Sequence, residues 1–224
     1  MARLVRTLSP FFEPLADLMS HNLPTLRTVA LALLVSAPAA TAQGAPERPR
    51  PLPPYTPGDV YFMSGMIHHH AQAVLMARWA PTHDAGPALR ALCERIVVGQ
   101  GDEIRLMQRW LRDRHEPVPD SAPSPMHAMM PGMDSSTVMP GMLTADQLAQ
   151  LDRARGPEFD RLFLTYMIQH HRGAITMVNR LFGQGAGEEE IVFRFASDVY
   201  ADQTTEIDRM QRMLAALLFG GTGQ

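Results

Sequence analysis

The sequence predicts an all-α fold, a four-helix bundle made of two duplicated helical hairpins, and three observations carry that prediction. The first is an internal repeat. Asp59-Val-Tyr-Phe62-Met-Ser-Gly-Met66-Ile67-His68-His69-His70-Ala-Gln-Ala73-Val-Leu-Met76 matches Asp160-Arg-Leu-Phe163-Leu-Thr-Tyr-Met167-Ile168-Gln169-His170-His171-Arg-Gly-Ala174-Ile-Thr-Met177 at a constant offset. A second match follows each run: Ile96, Gln100, Glu103-Ile104, Met107 and Trp110-Leu111 align with Val199, Gln203, Glu206-Ile207, Met210 and Met213-Leu214. The second observation is spacing. Phe62, Met66, His69, Ala73 and Met76 alternate by four and three, as do Ile96, Gln100, Glu103, Met107 and Trp110. That is the seam spacing of helices packed nearly parallel. The third is punctuation: Pro81 and Pro87 break the first pair of helices, and Gly183 to Gly187 break the second.

Taken in order, residues 1–42 read as a secretory signal. Arg27 precedes the apolar run Val29–Val35, and Ala40-Thr41-Ala42 is a small-residue cleavage pattern, so the mature chain is expected to begin at Gln43. Glu13 and Asp17 are foreign to a signal, which favours Met19 as the true start. The apolar run is too short to remain in a bilayer. Residues 43–57 form a Pro-rich tether. Residues 58–116 make the first hairpin, whose opening helix is capped at Thr56 with Pro57 at its first position and Asp59 three residues on. Residues 117–143 form a Met/Pro/Gly-rich linker, in which Met130-Pro-Gly-Met133 recurs as Met139-Pro-Gly-Met142. Residues 144–218 supply a short helix capped at Thr144 and the second hairpin, so that 58–218 is one bundle domain.

A bundle seam should be apolar, yet the middle of this one carries His69, Gln100, Glu103, His170, Gln203 and Glu206. A buried carboxylate without a partner costs several kcal/mol, on the order of its residual desolvation penalty. Counting from the hairpin turns puts His69 level with Gln100, Met66 with Glu103, His170 with Gln203 and Met167 with Glu206. One layer then holds imidazole, amide, carboxylate and thioether, a metal-site constellation. A lone seam histidine is more often a hydrogen-bonded core residue. Two at matching positions, each level with a Gln-x-x-Glu, favour metal. His70 and His171 flank the seam and could be ligands or could cap its edge; His68 has no counterpart and is expected to face solvent. The other core methionines read as gap-filling side chains. Asp59 and Asp160 fall level with Arg109 and Arg212 and are expected to pair with them. Cys93, the single cysteine, reads as a small buried apolar residue and excludes an internal disulfide.

The linker carries a separate signal. Met126, His127, Met129, Met130, Met133, Met139 and Met142 lie where no helical core is expected to need them. Flexible thioethers with one imidazole can wrap Cu(I) or Ag(I), which favour soft ligands; low-complexity drift is the bland alternative.

The repeated Asp-x-x-Phe-x-x-x-Met-Ile-x-His-His-x-x-Ala-x-x-Met, followed by Gln-x-x-Glu-Ile, resembles the domain-of-unknown-function family numbered 305. The resemblance covers residues 59–111 and 160–214. It implies a ferritin-like, exported helical domain, in a family that includes copper-binding proteins of the CopM type. Replacement of Trp110 by Met213 in the second copy makes the halves unequal.

The expectation is therefore an exported, periplasmic or extracellular protein that binds copper, or another transition metal, and has no catalytic residues. Near-balanced charge, 20 basic against 23 acidic residues, gives no reason to expect a nucleic-acid partner. No membrane insertion is expected after signal cleavage, and partners would be copper-transport or resistance proteins. A ferritin-like dinuclear oxidase is the enzymatic alternative. It is disfavoured because only Glu103 and Glu206 are seam carboxylates and no Glu-x-x-His occurs. The third reading is a purely structural bundle.

Overall fold

The computed structural model describes residues 54–121 and 139–219. The signal segment 1–42, most of the tether, and Met126, His127, Met129, Met130 and Met133 lie outside the described residues. Those described belong to one compact unit, Pro49–Gln224. They form five α-helices: α1 Pro57–Arg78, α2 Pro87–Asp113, α3 Ala145–Arg153, α4 Gly156–Gly183 and α5 Glu190–Phe219. Among the described residues no helix is long and apolar enough to cross a membrane.

Helix starts follow local chemistry. Thr56 and Asp59 form a reciprocal capping box on α1, with Pro57 in the first turn. Thr144 and Gln147 do the same for α3. Glu189 accepts the Val192 N–H at 3.0 Å and opens α5. A 3-10 turn, Ala80–Thr82, leads from α1 to α2.

Helices α1 and α2 pack as one hairpin and α4 and α5 as the other, and α1 lies against α4 where the hairpins meet. The apolar core is split. One half gathers Phe62, Met66, Met107 and Trp110 with Ala174, Met177, Phe195 and Val199. The other gathers Ala73, Met76, Leu92 and Ile96 with Phe159, Phe163, Met167 and Met210. Every long helix passes from one half to the other, and crosses at its polar seam residues: His69-His70, Gln100 and Glu103, His170-His171, Gln203 and Glu206. A polar layer thus separates two hydrophobic halves. Each fully buried Leu, Ile, Phe or Met contributes about 1.5–3 kcal/mol. A buried polar atom left unpaired costs about 1–3 kcal/mol.

Asp59 and Asp160 do not pair with Arg109 and Arg212 as expected. Asp59 accepts the Gly187 N–H at 2.7 Å and the Thr56 N–H at 2.7 Å. Asp160 accepts the Gly86 N–H at 3.1 and 3.2 Å. The leading aspartate of each hairpin thus caps the turn of the other, so α1 and α4 run antiparallel. Burial favours a backbone donor here: turn amides without a helical partner must be satisfied locally, whereas an arginine can reach water.

The linker boundary also needs correction. Met139 and Met142 are buried in the first core half beside Met63, Met66 and Met177, rather than standing free for a metal. Met139–Met142 makes a turn, closed by the Met142 N–H on the Met139 carbonyl at 3.2 Å. Pro140 and Gly141, the latter at φ +78°, occupy the two positions a type II turn reserves for proline and glycine.

Candidate metal centre

His69 and His170 face each other where α1 meets α4, their ring centroids 3.8 Å apart and tilted by 40°. Both are fully buried. Burial, reinforced by the neighbouring histidines, lowers the His69 pKa to about 3 and holds that of His170 well below the usual histidine range. Both imidazoles are therefore neutral at pH 7, the state in which histidine can ligate. His69 Nε2 donates to the Pro140 carbonyl at 3.0 Å. His69 Nδ1 and both ring nitrogens of His170 are buried without a hydrogen-bond partner.

The second histidine of each pair points elsewhere. His70 Nε2 lies 2.7 Å from a Glu103 carboxylate oxygen, and His171 Nε2 lies 2.7 Å from Glu206. The carboxylates thus meet the second histidine of each pair, where the level count had set them beside Met66 and Met167. The carboxylates therefore sit one helical turn further along α1 and α4 than counted, and between His69 and His70 a single residue turns the side chain by about 100° around a helix of 3.6 residues per turn. That step aims His70 and His171 at their own hairpin partners, and His69 and His170 at each other. Nδ1 of both His70 and His171 has no partner, nor do the buried amide oxygens of Gln100 and Gln203.

A cleft of about 300 Å³ opens between α2 and α5, lined by Gln100, Glu103, Asp202, Gln203 and Glu206 among others. Burial and the charges of Glu103, Asp198 and Glu206 raise the Asp202 pKa. Negative charge is concentrated there, although Arg95 and Arg209 also line the walls. Met66 and Met167 are fully buried, in opposite core halves. His68 is half-buried rather than solvent-facing. Cys93 is buried, as expected. Among the described residues, no three His, Cys, Asp or Glu side chains converge on one point. The layer is thus a central imidazole pair flanked by two His–Glu pairs.

Sequence reasoning missed Gln72, Pro140 and Gly173. Gln72 clamps Leu143, donating to its carbonyl at 3.1 Å and accepting its N–H at 2.8 Å. A Cβ on Gly173 would fall 1.9 Å from the Pro140 carbonyl oxygen. The usable signal was a break in the repeat: Gln72 aligns with Gly173, and His68 with Gln169.

A family model described as Domain of unknown function (DUF305) matches residues 59–214. The chain is similar to a crystallised DUF305 fragment from Deinococcus radiodurans, at 31% identity and TM-score 0.61, over 73% of this chain and 99% of that one. It is similar to a DUF305 protein from Streptomyces coelicolor described as secreted, at 26% identity and TM-score 0.60, over 71% and 93%. It is also similar to CopM in its Cu(II)-bound form, at 27% identity and TM-score 0.55, over 70% and 95%; CopM has further Cu(I)-bound and Ag-bound structures. Among curated proteins, 56 residues are 32% identical to an uncharacterized protein of Acanthamoeba polyphaga mimivirus, spanning 25% of this chain and 37% of that protein.

Proposed function

The chain belongs to the DUF305 family, and on that premise we propose that it is an exported metal-binding protein whose metal is copper, held for sequestration or resistance. The observation that carries this reading is the buried, neutral His69–His170 pair, with three ring nitrogens lacking partners at the centre of a duplicated polar layer. Buried donor and acceptor atoms are normally satisfied. Imidazole nitrogen suits copper, zinc, iron and nickel, and thioether selects soft Cu(I). The likeness to CopM, whose structures hold Cu(II), Cu(I) and Ag, supports copper among the transition metals. The similarity to a relative described as secreted supports export, as does the signal-like segment 1–42. The oxidase reading gains nothing here, because Glu103 and Glu206 are the seam carboxylates and each already faces a histidine.

The test is metal analysis of the exported protein, followed by thermal melts of wild type, His69→Ala and His170→Ala with and without Cu(I) and Cu(II). A ligand bound only to the folded state stabilises it by about 2.7 kcal/mol at a hundredfold excess over Kd. Wild type should gain stability on that scale and the variants should lose most of the gain. Equal gains in all three proteins would remove the central pair from the site.

A further inference from the structure

The segment Met139–Leu143 lies across α1 and α4 as a strap over the histidine layer, and five contacts fix it. Met139 and Met142 bury their side chains in the core. Gln72 on α1 holds both polar groups of the Leu143 backbone. Gln169 on α4 donates to the Gly141 carbonyl at 3.4 Å. Gly173 lets Pro140 and Gly141 rest on the α4 backbone, since a Cβ there would sit 1.9 Å from the Pro140 carbonyl oxygen. The fifth contact is chemical. The Pro140 carbonyl can only accept, so the nitrogen 3.0 Å from it, His69 Nε2, must carry the proton.

We propose that this strap is a positioning element of the histidine layer: the Pro140 carbonyl holds His69 as the Nε2–H tautomer and leaves Nδ1 as the nitrogen through which His69 binds metal. The metal-binding half of this statement rests on the function proposed above. His69 Nδ1 is buried and without a hydrogen-bond partner, as a nitrogen reserved for a ligand would be. A backbone carbonyl or carboxylate on the far nitrogen is the usual means by which a protein fixes the tautomer and orientation of a ligating histidine. The strap does this on one side of the pseudo-symmetric pair. His170 receives nothing from the strap: neither ring nitrogen makes a hydrogen bond of normal length, and the backbone group that acts on it is that of His69 on α1, so the strap makes the two equivalent histidines inequivalent. The breaks in the repeat fall where this contact requires them: Gln72 and Gly173 are aligned, and one clamps the strap while the other makes room for it.

The experiment uses the mature chain, labelled with 15N-histidine, without metal. A long-range 1H–15N correlation spectrum reports which ring nitrogen of each histidine bears the proton. In wild type, His69 should show the Nε2–H pattern. Gly173→Ala should displace the strap and give His69 a mixed or Nδ1–H pattern. Gln72→Leu, which removes two bonds without crowding the helix, should shift it in the same direction. Gly183→Ala, at a glycine with nothing within 4 Å of an added Cβ, should leave the spectrum unchanged. Copper titration of the same proteins should then show at least tenfold weaker binding at the layer in both strap variants. An Nδ1–H pattern for His69 in wild type overturns the proposal, as does an unchanged pattern in both strap variants. Wild-type copper binding with equal affinity in the strap variants overturns its positioning half. Absence of copper binding in wild type sinks the metal-binding function itself and with it the positioning half, while the tautomer result still decides what the strap does to His69.

Discussion

The Glu189 carboxylate meets the Arg114 guanidinium at 2.9 Å with both side chains shut away from water. The same carboxylate accepts the Trp110 indole N–H at 3.1 Å, and the guanidinium lies 4.3 Å over the Trp110 ring. The end of α2 is thereby fastened to the start of α5. Removing one partner leaves a buried charge alone, which costs about 3–5 kcal/mol, whereas replacing both with apolar residues is far cheaper. Glu189→Ala should lose stability on that scale in urea unfolding, and the double variant Arg114→Leu/Glu189→Leu should recover a large part of it. If the double variant is no more stable than Glu189→Ala, the cost is not that of an orphaned charge.

Met139→Ala and Met142→Ala should each destabilise the fold by about 2–5 kcal/mol, the range for truncating a buried methionine. Both side chains are 4–5% exposed. Chemical denaturation of the metal-free protein checks this. Unchanged midpoints would return these residues to the role of free linker thioethers.

Acid should weaken the metal-free fold from about pH 6.5 downwards. Burial keeps His69 neutral until pH about 3, and His170 is shifted in the same direction. In the unfolded chain both take up protons near pH 6.5. Below that pH the unfolded state binds more protons than the folded one, so stability falls as pH falls. The slope approaches about 1.4 kcal/mol per pH unit for each histidine, and the His69 contribution levels off near pH 3. Carboxylates also contribute to acid unfolding, so the diagnostic is a difference. His69→Gln should show a shallower loss than wild type between pH 6 and pH 4 in urea titrations. Parallel curves would mean that His69 is not held neutral.

Cys93 should resist alkylation. Burial, with the nearby charges of Asp160 and Glu94, pushes its thiol up to about 12, and the thiolate is the reactive form. Iodoacetamide at pH 8 should label the native protein very slowly and the urea-unfolded protein readily, as followed by mass spectrometry. Fast native labelling would show that the thiol is exposed by local opening.

The halves of the fold were readable because duplication writes the same seam twice, and a spacing of four and three places side chains on one helix face. What spacing cannot supply is the direction each face looks once the helices are assembled. His69 and His70 are adjacent in sequence, yet one faces α4 and the other α2; only the packing of the hairpins decides between them. Asp59 was misassigned for the same reason. Its partner, Gly187, lies in the other hairpin, and nothing local to either residue announces the contact. The strap was hidden by composition. Met-Pro-Gly-Met reads as linker, because proline and glycine mark turns whether or not a turn docks on a helix. Its seat was nevertheless written in Gln72, Gln169 and Gly173, positions where the repeat departs from itself.

The crossed caps have a consequence for origin. Asp59 serves Gly187 and Asp160 serves Gly86, and the two aspartates and the two glycines are themselves equivalent in the repeat. One hairpin alone therefore carries both halves of the lock, an aspartate at its head and a turn amide at its tip, but cannot close it on itself. Two identical hairpins can close it twice, head to tip, around a two-fold axis. The present chain has the form of such a homodimer fused into a single polypeptide. A half-length chain, residues 54–121, should associate with a second copy of itself, with His69 meeting its own symmetry mate. Sedimentation of that fragment would show a dimer, and Asp59→Ala would return it to monomer.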